Sequence, residues 1–297
     1  MAATQRAFNA AATWIAQVCW DEGITNTNTA HHRVYGETRL NFGLGAQLAV
    51  CARAKAVEAI KAVKAVKAKH RETCPQFGPR GSIRYDARTY RLMSLDRVSL
   101  NTLEGRVACR LLLGPRQHEL LVDPAWTIGG ADLVWRHGVY YLHITQSRAA
   151  PDVLDAASGT LGVDLGIVNL ATDSEGEPFS GAKVKQARQR YHTRRQRLQQ
   201  VNTKNAKRRL RKNAGRERRF QQDVNHCISK ALVRKAVVSC KALALEDLSG
   251  IRDRTTVRHE QRYERHSWAF YQLRHFLTYK AAWAGVPLHL VDPRNTS

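Results

Sequence analysis

The segment 183–219 constrains the fold of this chain more than any other feature, because its charge is almost entirely positive. It contains sixteen lysines and arginines and one acid, Glu217, which gives a net charge of +15 within the +23 of the whole chain. Like charges repel one another at helical spacing, so this segment cannot be packed into a core. It must face solvent or a polyanion, and such a distribution is typical of nucleic-acid-binding proteins.

Two other interpretations of this segment are a solvated helix and a helix lying on a membrane surface. The membrane interpretation is the weaker one, because the segment lacks a face of Trp, Phe and Leu side chains. We therefore predict that the segment contacts nucleic-acid phosphates without reading bases. The residues expected to make these contacts are Arg194, Arg195, Arg197, Lys204, Lys207, Arg208, Arg209, Arg211, Lys212, Arg216, Arg218 and Arg219.

The cysteines exclude two common kinds of site. The closest two of the six, Cys227 and Cys240, are thirteen positions apart. Paired Cys-x-x-Cys ligands are therefore missing, and we expect no zinc and no disulfide scaffold. No apolar run approaches the roughly 18–20 residues of a membrane span, so we expect no signal peptide, no membrane partner and a cytoplasmic location.

Breaks in composition divide the chain into three predicted regions. Residues 1–80 are Ala-rich and helical in pattern, and the prolines and glycines between 75 and 81 end them. Residues 81–148 contain short β-rich segments, which predict a small β-barrel or sandwich. Its predicted strands cover 82–85, 90–92, 106–113, 131–135 and 139–145.

The third region, 159–297, has the element order βββαβαβ of an α/β fold. The first three strands are separated by short turns, which predicts consecutive antiparallel pairing. Apolar residues spaced by four between 220 and 236 predict a helix with one buried face, and Gly285 is a signal for a helix C-terminus. The predicted strands are 160–165, 169–173, 178–180, 237–245 and 286–291, with a long helix over 263–284.

Two carboxylates in this region are candidates for chemistry. Asp164 lies inside an apolar strand, and Glu246 ends another one. A buried carboxylate is costly unless it is hydrogen-bonded or binds a cation, and oxygen ligands of this kind select Mg²⁺ or Mn²⁺. The alternative is that Asp164 caps a turn and Glu246 caps the next helix.

Several ordered blocks resemble the OrfB/TnpB family of transposon-encoded proteins, which are relatives of the type V CRISPR effectors. The similarity covers most of the chain and is densest from 162 to 297. The blocks are GVDLGI at 162–167, LEDL at 245–248, SWAF at 267–270 with Leu273, Leu277 and YKA at 279–281, and PRNTS at 293–297.

The resemblance implies an RNase H-like nuclease domain of the RuvC type, preceded by a wedge β-barrel and a helical recognition region. Members of the family are RNA-guided DNA endonucleases, long described as transposases. Asp164 matches the first catalytic carboxylate and Glu246 the second, so both are expected to be catalytic and to hold the metal. Guide RNA and target DNA are the implied partners.

The chain departs from the family pattern after Ser297. Family members continue with a zinc ribbon and a third catalytic Asp, and they usually open with a strand ahead of the first helix. We therefore expect weak Mg²⁺ binding and weak or absent cleavage. We also expect the apolar side chains of 161–165 and 243–245 to lack part of their cover. Asp292 is expected to be a turn residue and not a substitute ligand.

Two other classes of function are consistent with the basic segment, and several further residues have expected places in the fold. A nuclease-inactive protein that acts by occupying nucleic acid would need neither carboxylate. A basic RNA-packaging or ribosome-associated protein would explain the charge but not the ordered blocks. Asn225, His226 and Ser229 are expected to pack between helices, and Trp14, Trp20, Trp135, Trp268 and Trp283 to lie in the core or at a domain interface.

Overall fold

The computed structural model describes residues 1–65, 73–155, 159–166, 168–247 and 270–292. The chain divides into two compact units, 1–149 and 150–297. Each unit has its own cluster of buried apolar side chains. The predicted helical region and the predicted β region both fall within the first unit. No helix in the described ranges is long and apolar enough to cross a bilayer.

The first unit begins with three helices where the sequence predicted one helical region. Asn26 accepts hydrogen bonds from the backbone N–H groups of Asn28 and Thr29 at 2.8 and 3.2 Å, and this cap starts the second helix. Gly43 ends the second helix in the left-handed conformation. The helices are α1 (Ala2–Asp21), α2 (Thr27–Phe42) and α3 (Ala46–Ala65).

The strands of the first unit form two antiparallel sheets of three strands, β1-β5-β6 and β2-β3-β4. In the described residues these sheets are separate, so the single barrel among the two predicted arrangements, barrel or sandwich, is not formed. The sequence missed β3 and α4, and it extended β4 three residues too far. The elements are β1 (Ile83–Tyr85), β2 (Tyr90–Ser94), β3 (Arg97–Thr102), β4 (Gly105–Arg110), α4 (Pro115–Val122), β5 (Thr127–Arg136) and β6 (Val139–Ser147).

Helices and strands of the first unit share one core. The half-buried Lys55 forms hydrogen bonds beside it. The ammonium of Lys55 on α3 donates hydrogen bonds to Asn9 Oδ1 at 2.8 Å and to the Ser82 carbonyl at 2.7 Å. Burial lowers the pKa of Lys55 to about 8. Ser82, which directly precedes β1, is thereby connected to α1 through Lys55.

The described residues of the second unit form a five-stranded mixed sheet with three helices. The strand order is β11-β10-β7-β8-β9, in which β11, β10 and β7 are parallel and β7, β8 and β9 are antiparallel. The predicted antiparallel pairing and the α/β order are confirmed. The elements are β7 (Thr160–Asp164), β8 (Asn169–Asp173), β9 (Pro178–Ser180), α5 (Ala182–Val201), α6 (Lys204–Val238), β10 (Ala242–Glu246), α7 (Phe270–Ala284) and β11 (Leu288–Val291).

The predicted strand 237–245 was wrong at its start. Val237 and Val238 form the end of α6, and the chain turns at Cys240, whose φ is +49°, before β10 begins. The four-residue apolar spacing of α6 continues to Ala236, so the two valines complete its last turn and are exposed. The helix 263–284 was predicted to begin in residues outside the described ranges, and it ends as predicted before Gly285.

The helices cover one face of this sheet. Leu161 and Val163 of β7 and Leu243 and Leu245 of β10 are buried in the cluster that includes side chains of α6 and α7. The expectation that these side chains would lack cover was therefore wrong. Because side chains alternate along a strand, the neighbouring residues lie on the opposite face of the sheet.

Candidate functional site: two strand-end carboxylates and a basic helical hairpin

Asp164 and Glu246 lie side by side at one edge of the sheet. β7 and β10 run parallel, and their last paired residues are Val163 and Leu245. Asp164 and Glu246 each follow these residues directly, so the parallel register brings the two carboxylates to the same edge. Asp164 is exposed and Glu246 is half-buried.

Both carboxylates line an open cavity of about 380 Å³ on the face away from the helices. Three of the other residues that line it, Gly162, Ser174 and Ala244, are small. Gly162 and Ala244 precede the carboxylates on the same face, and Ser174 accepts a hydrogen bond from the N–H of Gly162 at 3.2 Å. Small residues here leave room for a backbone or phosphate group to approach the carboxylates closely.

The carboxylate of Asp173, an acid near the cavity, is bound to Lys235 of α6 and is therefore not counted with the two strand-end carboxylates. Asp173 lies on β8 and also lines the cavity, but its side chain is fully buried and its carboxylate lies 2.5 Å from the Lys235 ammonium. Burial opposes ionisation of Asp173. The hydrogen bond and charge of Lys235, together with hydrogen bonds from the backbone N–H groups of Glu175 and Glu177, outweigh that effect and hold the pKa of Asp173 below its usual range. This ion pair fixes the turn between β8 and β9.

Two further acids follow the strand ends on the other side of the sheet. Asp247 comes directly after Glu246 and forms an ion pair at 2.5 Å with Arg274 of α7. Val291 pairs with Glu246. Asp292 is the next residue, so it lies one position past the level of Glu246 along the strand direction. By strand alternation Asp292 belongs with Asp247, which agrees with its predicted status as a non-ligand.

The donor set of the cavity fits a hard divalent cation. Carboxylate oxygens are the ligands that Mg²⁺ and Mn²⁺ prefer, and Mg²⁺ is commonly held by one or two carboxylates together with water and substrate phosphates. Across the described ranges, no group of three or more His, Cys, Asp or Glu side chains could hold a metal ion. The candidate oxygen donors in this part of the chain are therefore the two carboxylates of Asp164 and Glu246.

The basic segment forms a hairpin of two helices, α5 and the first half of α6. Asn202 adopts a left-handed conformation between them, and Thr203 caps α6 by accepting a hydrogen bond from the Ala206 N–H. The ring centroids of Tyr191 and Phe220 lie 6.4 Å apart across the two helices. Eleven of the twelve residues predicted to contact phosphate are exposed.

Arg195 is the exception among these twelve residues. Its guanidinium is partly buried and forms an ion pair with Glu217, the single acid of the segment. Glu217 is itself 7% exposed. The hairpin thus pairs its own acid internally, and the charged side chains exposed on its surface are all positive. The prediction that Arg195 contacts phosphate is corrected, because the sequence could not show which arginine would reach Glu217.

Replacing Arg195 by alanine is expected to destabilise the hairpin. The substitution leaves the buried Glu217 carboxylate without this partner, which costs roughly 1–3 kcal/mol. The helical circular dichroism signal should therefore melt at a lower temperature. Arg194→Ala removes an exposed charge from the next position and is the matched control, for which the melting temperature should be unchanged. Equal melting of the two variants would contradict the structural role of Arg195.

The residues predicted to pack between helices do so. Asn225 and Ser229 are fully buried, and Ser229 donates a hydrogen bond to the Asn225 carbonyl at 2.6 Å. The imidazole of His226 stacks on Phe276 of α7 with ring centroids 3.9 Å apart. Trp283 departs from its prediction, because it is 46% exposed on α7. Trp268 lies outside the described residues.

The second unit thus combines an α/β sheet, two adjacent strand-end carboxylates and a cationic hairpin. Residues 150–250 match the OrfB_IS605 family, which is described as a probable transposase. Residues 270–297 match the TNB domain of Cas12f1-like proteins. Over these residues the chain is similar to the OrfB/TnpB family of transposon-encoded proteins.

A TnpB-like protein of Methanocaldococcus jannaschii is 35% identical over 89 residues, which are 30% of this chain and 32% of that protein. The match thus spans about a third of the curated relative. Among solved structures, a CRISPR-Cas12f ternary complex has a TM-score of 0.39 at 11% identity, covering 99% of this chain and 72% of that one. A Cas12f1-sgRNA-target DNA complex has a TM-score of 0.38 at 13% identity, covering 99% and 79%. Scores of this size do not establish a shared fold.

Proposed function

We propose that this protein binds guide RNA and target DNA and holds Mg²⁺ or Mn²⁺ at Asp164 and Glu246 for phosphodiester hydrolysis. The observation that carries the proposal is the juxtaposition of these carboxylates on the cavity face of the sheet. Three antiparallel strands followed by two parallel ones also support an RNase H-like domain of the RuvC type. In this proposal the first unit contains the recognition helices and the wedge strands.

Each part of the site has a physical task in this reaction. Asp164 and Glu246 would hold the cation, and the small side chains of Gly162 and Ala244 would admit the phosphodiester beside it. A bound divalent cation polarises a phosphate oxygen and lowers the pKa of a coordinated water. The hairpin of α5 and α6 would neutralise the nucleic-acid backbone and position it, while base pairing with the guide would select the sequence.

A nuclease-inactive protein that acts by occupancy is the second candidate. The observation that favours it is that the described residues bring only two carboxylates to the cavity face, since Asp173 is bonded to Lys235 and Asp247 to Arg274. Fewer ligands and less negative charge mean weaker cation binding. We therefore expect this chain to cleave weakly or not at all, while its nucleic-acid binding persists.

A cleavage assay separates the two candidates. The full chain would be purified with the RNA transcribed from the sequence flanking its gene and incubated with matched and mismatched DNA in Mg²⁺ or Mn²⁺. Guide-directed cutting that stops in Asp164→Ala supports the nuclease. Guide-dependent binding without cutting, unchanged in Asp164→Ala, supports occupancy. Absence of guide-dependent binding would overturn both.

The hairpin should give nucleic-acid binding a steep dependence on salt. Changing Arg208, Arg209, Arg211 and Lys212 together to alanine should reduce the slope of log K against log salt by roughly three to four units if all four contact duplex phosphates. The measurement is a titration of labelled duplex DNA at several salt concentrations.

The same hairpin offers a matched control of four exposed uncharged residues. Gln189, Gln196, Gln199 and Gln200 are all exposed on α5, and changing them together to alanine alters the surface without altering its charge. This control should keep the parent slope. A slope that is unchanged in the cationic variant would assign the hairpin to solvent.

A further inference from the structure

The outer surface of α7 carries four aromatic residues at four-residue intervals. They are Tyr271, His275, Tyr279 and Trp283, and the spacing of an α-helix aligns them on one face over about 18 Å. Tyr271 is 80% exposed and Trp283 is 46% exposed. We call these four residues the aromatic stripe. Large aromatic side chains are seldom left in solvent in such a row without a ligand.

The rings of the stripe support one another. The centroids of His275 and Tyr279 lie 5.8 Å apart, and those of Tyr279 and Trp283 lie 5.1 Å apart in an edge-on arrangement. Tyr279 also meets the edge of Phe276, whose ring is stacked on His226 of α6. His275, Tyr279 and Trp283 are therefore held by neighbouring rings, and a ligand would not have to order these three side chains on binding.

The surroundings of the stripe are cationic. Helix α7 has two basic residues and no acid, and α6 from 219 to 238 has four basic residues and one acid, Asp223. The Lys280 ammonium donates hydrogen bonds to the His226 carbonyl at 2.8 Å and to Ser229 Oγ at 2.7 Å. Burial lowers the pKa of Lys280, and the charge of the nearby Lys230 lowers it further.

We propose that the aromatic stripe of α7 is a stacking platform for single-stranded nucleic acid. Every base has a π-face that stacks on an aromatic ring, and the nearby lysines complement the phosphates. A duplex keeps its base faces within its own stack and cannot use such a platform. A second copy of this chain is a poorer occupant, because it would bring a charge of +23 against +23.

The stripe begins beside the carboxylate edge of the sheet. Arg274 lies one turn after Tyr271 and binds Asp247, the residue that follows Glu246. A strand stacked on the stripe would therefore reach the end of β10. The stripe goes beyond the proposed function because it is a second surface and selects unpaired bases, and it does not depend on a metal at Asp164.

Two double variants test the stripe at the same positions. Tyr271→Leu with Trp283→Leu keeps apolar side chains but removes the rings, while Tyr271→Phe with Trp283→Phe keeps rings at both positions. The leucine pair should weaken binding of the full chain to a labelled twelve-residue oligothymidylate by about tenfold or more. The phenylalanine pair should restore most of that affinity.

Three further measurements distinguish stacking from other causes. A duplex of the same length should bind each variant within about twofold of the parent, and the salt slope should not change, because stacking releases no counterions. Tyr141→Leu replaces a tyrosine of β6 that is 48% exposed in the first unit and should have no effect. Oligothymidylate binding should be the same with and without added Mg²⁺ at matched ionic strength, which separates this surface from the metal site.

Several results would overturn the proposal. They are unchanged oligothymidylate affinity in the leucine pair, equal loss of single-stranded and duplex binding, and failure of the phenylalanine pair to restore affinity. A change of oligomeric state in the leucine pair, measured by light scattering, would instead assign the stripe to contact between copies of this chain.

Discussion

Asp164→Asn and Glu246→Gln are each expected to weaken Mn²⁺ binding by at least about tenfold, and the two together to abolish it. The changes keep the size of each side chain but remove a negative charge and an anionic ligand. Loss of a residue that only supports a ligand commonly costs 10–100-fold in affinity, so loss of a ligand should cost at least as much. Because Mn²⁺ is paramagnetic, electron paramagnetic resonance of the titrated full chain measures binding without any need for activity.

Asp223→Asn is the matched control for this titration. Asp223 is an exposed acid on α6 and does not line the cavity, so its variant should bind Mn²⁺ as the parent does. The thermal midpoints of all variants show whether the fold survives. If Asp164→Asn and Asp223→Asn bind Mn²⁺ equally well, the metal is not held by the strand-end carboxylates, and the nuclease proposal fails.

Gly285→Ala is expected to destabilise the second unit by roughly 2–4 kcal/mol. Gly285 ends α7 with a φ of +71°, a conformation that costs any residue with a β-carbon. A β-carbon here would also overlap the carbonyl oxygen of Asp152. In addition, the Gly285 carbonyl accepts a hydrogen bond from the Leu154 N–H at 2.7 Å, so the backbone cannot move away freely.

Gly176→Ala separates the two causes. Gly176 has a φ of +84°, but no atom lies within 4 Å of the position that its β-carbon would take. Its variant should lose only the conformational part, about 1–2 kcal/mol. Differential scanning calorimetry of both variants measures the difference. Equal destabilisation would show that the contact with Asp152 is unimportant in solution.

The Gly285 position also bears on the candidate site. It leads into β11, whose Val291 pairs with Glu246 at the end of β10. If Gly285→Ala distorts this segment, Mn²⁺ affinity should fall together with stability. Glu246 thus depends on a turn that lies 39 positions further along the chain, and the sequence pattern alone does not reveal this connection.

The carboxylate site was predictable because its signals are local. An ionisable residue that ends an apolar strand stands out in the sequence, and Asp164 and Glu246 both do. Their proximity required only that the two strands be parallel neighbours, which the βββαβαβ order suggests. The sequence did not show that Asp173 and Asp247 are engaged by other side chains. Their partners, Lys235 and Arg274, lie 62 and 27 positions away in the chain.

The basic hairpin shows the same division between local and distant information. Its charge predicted a surface exposed to a polyanion, and eleven of the twelve residues predicted to contact phosphate are exposed. Arg195 was the exception because a run of identical charges does not show which member meets the single acid. The packing of α5 on α6 decides that, since it places Glu217 against Arg195.

The aromatic stripe was missed although its four-residue spacing is visible in the sequence. An aromatic row at helical spacing is normally the buried face of a helix, and Trp283 was interpreted in that way. Helix α7 instead buries Leu273, Phe276, Leu277 and Ala281. Two faces of α7 carry large apolar or aromatic side chains, and one of them packs into the core. Only the packing of α7 against the sheet shows which face remained in solvent.

The sequence by itself determined the charge, the helical and strand periods and the two strand-end carboxylates, because these depend on residues close together in the chain. Only the tertiary structure decided which acids share a face, which arginine is paired and which aromatic residues are exposed. Those outcomes depend on contacts between distant segments, whose geometry is set by packing over the whole unit and not by local preference.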